Sequence, residues 1–224
     1  MVLAAKRLDY KEIEITPGLG QVAIFRLSGQ RQVPVLVDGD QVISDSSVII
    51  QYIEKLYPDP ILIPDDPKEK ALVHLIENWA DTSMAKSARI ALIKSAARDP
   101  HLRDALLTNG VTEQFRILIS SLPSQFLGSL SSFINQSNGA DLLSNLEKLS
   151  NSVSINQFLI GNSMSLADIA IAAQLSLLKF PKSSGPQLAG LGCPGFSDNN
   201  RLAALFDWRD QLEDRLMELN SSQD

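Results

Sequence analysis

The sequence predicts an α/β domain at the N-terminus followed by an all-α domain. Up to Tyr57 the chain shows short strand patterns and a turn signal before one helical segment. Four prolines then occur within "PDPILIPDDP", and prolines so closely spaced favour an extended connector over a helix. Beyond them, helical patterns continue almost to the end of the chain. We therefore assign residues 1–57 to the first domain, 58–67 to a linker and 68–224 to the helical domain.

Local patterns define the elements of the first domain. "YKEIEIT" alternates polar and apolar residues, which predicts a half-buried strand. "VPVLV" and "QVIS" flank Asp38-Gly39, a pair that favours a hairpin turn. In "SSVIIQYIEKLY" the apolar residues recur at helical spacing, so we predict a helix from Ser46 to Tyr57.

The second domain is predicted to contain five helical segments and one long loop. The first is "EKALVHLIENWADTSMAKSARIALIKSAA", and the second follows Gly110 and bends at Pro123. "ADLLSNLEKLSNSV" is a short amphipathic helix, and "SLADIAIAAQLSLLKF" is apolar on nearly every side, which indicates a buried central helix. "NNRLAALFDWRDQLEDRLMEL" closes the chain. Glycine, proline and serine dominate 181–199, so we expect a loop there.

Composition excludes several classes of function. The chain has 224 residues, 44% of them hydrophobic and 21% charged, as in globular proteins. Its net charge of −6 provides no basic surface, so neither nucleic acid nor membrane is an expected partner. The single cysteine, Cys193, rules out an internal disulfide and favours a reducing compartment, the cytoplasm. His74 and His101 lack partners at ligand spacing, and no metal site is expected.

The stretch "QVPVLVDGDQVISDSS" combines a proline in a strand pattern with a polar helix start. Pro34 either marks an edge strand or forms a cis bond after Val33, which would leave the Val33 backbone free to pair with an extended ligand. Ser46 stands at the predicted helix start. Its hydroxyl either caps the first amides or helps this positive end of the helix to hold a carboxylate or phosphate.

The order of these features resembles the glutathione transferase family. The resemblance rests on "QVPVLVDGDQVISDSSVIIQYIEKLYP", on "FLIGNSMSLADIAIAA" and on the later helix with Trp208-Arg209. It implies a thioredoxin-like N-terminal domain and an all-helical C-terminal domain, with glutathione bound between them as cosubstrate and no further cofactor. It also implies a homodimer that conjugates small electrophiles with glutathione or reduces them. The alternative is a non-catalytic binding or scaffold protein of the same family type.

The same resemblance implies which residues bind glutathione. The backbone of Val33, before Pro34, would pair with the cysteinyl part of the tripeptide. Asp45 and Ser46 match the positions that hold its γ-glutamyl end, and Gln32 matches a polar position that reaches its glycyl carboxylate.

The helical domain offers two further sets of residues. By element order, Trp79, Ser83 and Lys86 lie on the helix that would face the cleft, where they line an acceptor pocket or serve as core and solvated flank. Trp79 itself, like Trp208, has the helical spacing of a packing residue. "SMSLAD" has a different character, because Ser165 and Asp168 have the spacing of a capping box, which we assign to folding.

The sequence departs from the family pattern at its start. Family members activate the glutathione thiol with a Tyr, Ser or Cys near the end of the first strand or the start of the first helix. "MVLAAKRLDYKEIEI" matches the end of that helix and the following strand, so the activating group would lie upstream of Met1 and is unassigned. Three explanations remain open: a fragment or misplaced start, a natural truncation that yields a binding protein, and an unrelated ligand-binding module.

Overall fold

A computed structural model describes residues 1–13, 15, 19–108 and 139–221. Helices α1 and α2 come first, then a β-hairpin (β1 and β2), then α3 and a connector that leads to the helical part of the chain. This agrees with a thioredoxin-like first domain followed by a helical domain. The bounds in the first part are Val2–Ala5 (α1), Leu19–Ser28 (α2), Val35–Asp38 (β1), Gln41–Ser44 (β2) and Ser46–Leu56 (α3).

The helical part is built around one central helix. This helix is α8 (Leu166–Leu175), and eight of its residues are buried, as its apolar sequence predicts. Three helices pack around it: α4 (Pro67–Trp79), α5 (Ala85–Arg98) and α9 (Ala203–Ser221). The predicted segment after Gly110 lies outside the described residues, and no described helix is long and apolar enough to cross a membrane. The bounds are Pro67–Trp79 (α4), Ala80–Met84 (a π-helical turn), Ala85–Arg98 (α5), Pro100–Thr108 (α6), Gly139–Val153 (α7), Leu166–Leu175 (α8) and Ala203–Ser221 (α9).

The predicted hairpin is confirmed. Strands β1 and β2 are antiparallel, with Val35 opposite Ser44 and Asp38 opposite Gln41. Gly39 in the turn has a φ of 56°, a conformation that glycine adopts without steric cost. On the following helix, the Tyr52 hydroxyl donates a 2.9 Å hydrogen bond to Asp38. This bond ties α3 to the closed end of the hairpin.

The strand predicted for "YKEIEIT" is wrong. Residues 10–13 and 15 are described and belong to no strand. A strand needs a neighbour for its backbone N–H and C=O groups, and the sheet within the described residues consists of β1 and β2 alone. The sequence analysis also missed helix α2. Among its apolar residues from Val22 to Leu27, only Ile24 is buried, so its hydrophobic pattern is weak.

A buried lysine fastens the connector to the first domain. The Lys6 side chain, after α1, is fully buried and pairs with Glu54 of α3 at 2.7 Å. Its ammonium group also donates hydrogen bonds to the carbonyls of Pro58 at 3.3 Å and Pro60 at 2.7 Å. These contacts satisfy a charge that would be costly to bury alone. They hold α1, α3 and the connector together.

The predicted capping box at the start of α8 is confirmed, and it has a wider role than capping. Oδ2 of the buried Asp168 accepts hydrogen bonds from the Ser165 amide at 2.8 Å and the Ser165 hydroxyl at 2.7 Å. Its other oxygen accepts a bond from the Leu159 amide at 2.8 Å. The Leu166 amide donates to the carbonyl of Leu62, a buried connector residue. Asp168 therefore orders the loop, the helix and the nearby connector.

We expect Asp168→Ala to lower the free energy of unfolding by about 3 kcal/mol, because it leaves three donors without an acceptor in a buried site. Denaturant titration followed by circular dichroism measures this change. Asp66 is the matched control: it caps α4 through the amides of Lys68 and Glu69 but is exposed. Asp66→Ala should cost about 1 kcal/mol. Equal losses in the two variants would contradict the role given to Asp168.

Candidate functional site

The register of the hairpin brings the predicted ligand-binding residues to one place. Val35 is opposite Ser44, so the residues just before β1 and just after β2 emerge at the same open end. Val33 and Pro34 arrive there on one side, and Asp45 and Ser46 leave on the other. All four are exposed. The structure thus groups two polar residues with one stretch of free backbone at a solvent-accessible edge.

The Val33-Pro34 peptide bond is cis, which is the second of the two alternatives that the sequence left open for this proline. Val33 lies outside the ladder, and its side chain is 52% exposed. Within the described residues its backbone N–H and C=O have no hydrogen-bond partner. Gln32, just before it, is also exposed. The backbone at Val33 is therefore available to an extended molecule laid along this edge.

Asp45, and not Ser46, is the capping residue of α3. One oxygen of the Asp45 carboxylate accepts hydrogen bonds from the amides of Ser47 at 2.9 Å and Val48 at 3.2 Å. Asp45 has a φ of 77°, which is unusual for a residue with a side chain. The sequence left two roles open for the Ser46 hydroxyl, and the structure assigns the first of them, capping, to Asp45, because a carboxylate that accepts two amides is the stronger cap.

Because Asp45 caps the helix, Ser46 is free for another role. The Ile49 amide bonds to the Asp45 carbonyl, and Asp45 also holds the amides of Ser47 and Val48. Within the described residues, the amide and the hydroxyl of Ser46 have no partner. These two donors stand at the end of α3 where the helix dipole is positive. The arrangement suits a carboxylate.

Asp81, an acidic residue whose carboxyl group interacts electrostatically with Asp45, was not predicted from the sequence. Burial raises the pKa of Asp81, and the negative charges of Glu77 and Asp45 raise it further. Asp81 lies in the π-helical turn between α4 and α5. Such turns are rare and often occur at functional sites. No sequence pattern marks this turn, and the Asp45 contribution arises only from the tertiary fold.

The predicted acceptor-pocket residues lie on the same helical stretch. Trp79 ends α4 and packs against the core, Ser83 lies in the π-helical turn, and Lys86 is on α5. Ser83 and Lys86 are exposed. A cavity lies beside α5, and its lining includes the neighbouring Ser87 but none of these three residues. Their role as an acceptor pocket stays a prediction.

The single cysteine does not contribute a reactive group to the site. Cys193 is 1% exposed, and burial raises its pKa to about 11. Its thiol therefore stays protonated near neutral pH, and a protonated thiol is a poor nucleophile. The described residues also contain no group of three or more His, Cys, Asp or Glu side chains placed to hold a metal ion.

Residues 1–61, which include the hairpin and the start of α3, match the family described as "Glutathione S-transferase, N-terminal domain". The chain is 30% identical over 123 residues to glutathione S-transferase Z2 of Arabidopsis thaliana, covering 53% of this chain and 55% of that protein. The chain therefore resembles the glutathione transferase family, with the family match confined to residues 1–61. It is also 27% identical to the maleylacetoacetate isomerase of Mus musculus, over 54% of this chain and 59% of that protein.

Solved structures support the glutathione transferase fold over the whole chain. The β-etherase LigF from Sphingobium sp. strain SYK-6 superposes with a TM-score of 0.62 at 23% identity, covering 99% of this chain and 92% of that one. A glutathione S-transferase from Rhodospirillum rubrum gives 0.60 at 23% identity, with 94% and 79% covered. In the sequence comparisons, by contrast, the chain spans about half the length of the curated relatives it matches.

The positive φ of Asp45 generates a test of the cap. Asp45→Ala should lower the free energy of unfolding by about 1 kcal/mol, because two amides lose their acceptor. Asp45→Gly loses the same acceptor but relieves the backbone conformation, so it should be at least about 1 kcal/mol more stable than the alanine variant. Thermal or denaturant unfolding measures both. An alanine variant as stable as the glycine variant would contradict the strain assigned to Asp45.

The raised pKa of Asp81 makes a second test. The carboxyl group of Asp81 binds its proton more tightly in the folded protein than in the unfolded chain, where its pKa has the ordinary value of 3.8. The stability contribution of Asp81 is therefore present at low pH and is lost as pH rises through the raised pKa. Asp45→Asn removes a neighbouring negative charge and should lower the pKa of Asp81, as followed by carbon NMR of its carboxyl group. Asp66→Asn is the control, and an unchanged Asp81 titration in Asp45→Asn would refute the coupling.

Proposed function

We propose that the chain binds glutathione at the open end of the hairpin and transfers it to small electrophiles or reduces them with it. The observation that carries this proposal is the shared position of a free backbone edge at Val33 and two free donors at Ser46. Glutathione is a tripeptide with carboxylates at both ends and a thiol between them. Its chemistry therefore requires a peptide-pairing edge and an anion site.

Each end of the tripeptide has a counterpart in the proposed site. The γ-glutamyl carboxylate accepts hydrogen bonds from the Ser46 amide and hydroxyl at the positive end of α3. The γ-glutamyl ammonium group lies near the Asp45 carboxylate. The cysteinyl residue pairs with the backbone of Val33 beside Pro34, and Gln32 reaches the glycyl carboxylate.

The proposed reaction depends on the thiolate form of glutathione. A thiol with a pKa near 8.5 is only about 3% ionised at pH 7, so catalysis requires a group that favours the thiolate. The thiolate sulfur then forms a bond to an electrophilic carbon, and the electrons of the broken bond leave with the departing group. Trp79, Ser83 and Lys86 are proposed to line the acceptor pocket, since they lie on the helical stretch that carries Asp81.

Two further expectations belong to this proposal. A homodimer is supported by exposed apolar side chains on two consecutive helices: Val48 on α3 is 50% exposed, and Leu72 and Leu75 on α4 are 48% and 63% exposed. A cytoplasmic location is supported by the single free, buried cysteine.

One observation favours a second candidate, a non-catalytic glutathione-binding or scaffold protein. Cys193 is buried and protonated at neutral pH, so it cannot take the place of a catalytic thiol. Such a protein would keep the binding residues Val33, Asp45 and Ser46 without accelerating the reaction of the bound thiol.

Calorimetric titration with glutathione tests the binding site. Ser46→Ala should weaken binding by about 1–3 kcal/mol, roughly 5-fold to 150-fold in Kd, because a carboxylate loses a hydroxyl donor. Ser47→Ala is the matched control, since Ser47 is the next residue on the helix and only its amide is used, by Asp45. It should leave Kd within about twofold of the original value.

A generic electrophile separates the two candidate functions. Retention on immobilised glutathione together with turnover supports the transferase, whereas retention without turnover supports the binding protein. No retention, or equal affinity in the Ser46→Ala and original proteins, would refute the proposed site.

A further inference from the structure

A groove of about 270 Å³ lies between α9 and the end of α7 with the chain that follows it. Its lining includes none of the residues proposed to bind glutathione or the acceptor. The indole N–H of the buried Trp208 donates a 2.9 Å hydrogen bond to the backbone carbonyl of Gln157, which fastens the two walls to each other. The volume is just below the usual range for drug-sized ligands, about 300–1,000 Å³, so the groove suits a smaller molecule.

Apolar side chains form much of the lining of this groove. Val153 and Phe158 line it from the α7 side, and Ala204, Trp208 and Leu212 line it from α9. Trp208 and Leu212 are buried, whereas the other three are partly exposed. An occupant that covers these side chains removes apolar surface from water, which favours a ligand with a hydrocarbon portion.

Two opposite charges line the same groove, eight residues apart on α9. Asp207 and Arg215 are separated by about 12 Å along the helix axis, because each residue of an α-helix adds 1.5 Å. The neutral Gln211 also lines the groove and lies between them, four residues from each. Side chains on one helix interact directly at spacings of three or four residues. At twice that spacing, Asp207 and Arg215 do not neutralise each other.

Neither charge has an oppositely charged partner within 4 Å among the described residues. Asp207 is exposed. The Arg215 guanidinium lies over the ring of Phe158, 5.9 Å from its centroid. The side-chain amide of Gln157, oriented with its oxygen toward Arg215, accepts hydrogen bonds from both terminal nitrogens at 2.5 Å. Both of these partners are neutral, so they orient the positive charge of Arg215 without compensating it.

We propose that this groove binds a linear zwitterion, a small molecule with an ammonium group at one end, a carboxylate at the other and an unbranched hydrocarbon chain between them. The carboxylate lies at Arg215, whose planar set of N–H donors matches that group, and the ammonium lies at Asp207. The chain covers Trp208 and Leu212. The ligand class follows from the arrangement, because one uncompensated charge of each sign stands on either side of an apolar stretch.

Titrations with ω-amino acids of increasing length, followed by NMR of the α9 amides, test the spacing. From 4-aminobutanoate to 8-aminooctanoate each added CH2 group should lower Kd, by at most about fourfold, because more apolar surface is covered and both charges come within reach. The gain should stop once the extended chain spans the two side chains, so 10-aminodecanoate should bind no more tightly than 8-aminooctanoate. An affinity independent of chain length, or one that keeps rising at ten carbons, would overturn the proposal.

Substitutions assign the two ends of the ligand. 8-Aminooctanoate should bind about threefold more tightly than octanoate, which lacks the ammonium, and about tenfold more tightly than octylamine, which lacks the carboxylate. Asp207→Asn should abolish the first preference alone, and Arg215→Gln the second alone. Asp214→Asn, which removes an exposed acid of α9 outside the groove, should retain both. An unchanged first preference in Asp207→Asn would contradict the proposal, even if Arg215→Gln failed to fold.

A spectroscopic signal identifies the groove directly. The chain has two tryptophans, Trp79 and Trp208, so nitrogen-15 labelling gives two indole resonances, which Trp79→Phe assigns. 8-Aminooctanoate should shift the Trp208 resonance with the same Kd as the α9 amides and leave the Trp79 resonance in place. Saturating glutathione should leave that Kd unchanged, because its proposed site is separate. A Trp208 resonance that does not move, or competition by glutathione, would show that the zwitterion binds elsewhere and would overturn the proposal.

Discussion

The buried carboxylate of Asp168 is the interaction on which the helical part of the protein depends. It accepts three hydrogen bonds from the loop before α8 and from the helix start itself, in a site closed to water. Burial raises its pKa, so these donors compensate a real desolvation cost. The next amide, of Leu166, holds the connector at Leu62. One side chain thereby fixes where the connector enters the helical core.

Lys6 has the complementary role on the other side of the connector. Its buried ammonium group pairs with Glu54 of α3 and binds the carbonyls of Pro58 and Pro60. Both ends of the connector are therefore fastened to packed elements. Helix α3 gains its position from this contact and from the buried Ile53. The candidate glutathione site at the start of α3 rests on these two anchors, although neither contacts it directly.

The exposed polar groups at the open end of the hairpin result from this architecture. Polar groups of Val33 and Ser46 remain exposed because Asp45 already caps the helix. Their arrangement fits the proposed binding of a peptide with charged ends.

The sequence by itself determined the features that depend on neighbouring residues: the Asp38-Gly39 hairpin, the helix after Asp45, and the buried helix that follows Ser165. Local backbone preferences and apolar periodicity are enough for these. Only the tertiary structure decided whether residues 10–13 and 15 pair, because a strand requires a partner that its own sequence does not supply. It also decided that Asp45 and not Ser46 caps α3, a one-residue difference set by backbone conformation. Residues about one hundred positions apart, such as Arg98 and Cys193, line one cavity, and no local pattern records that proximity.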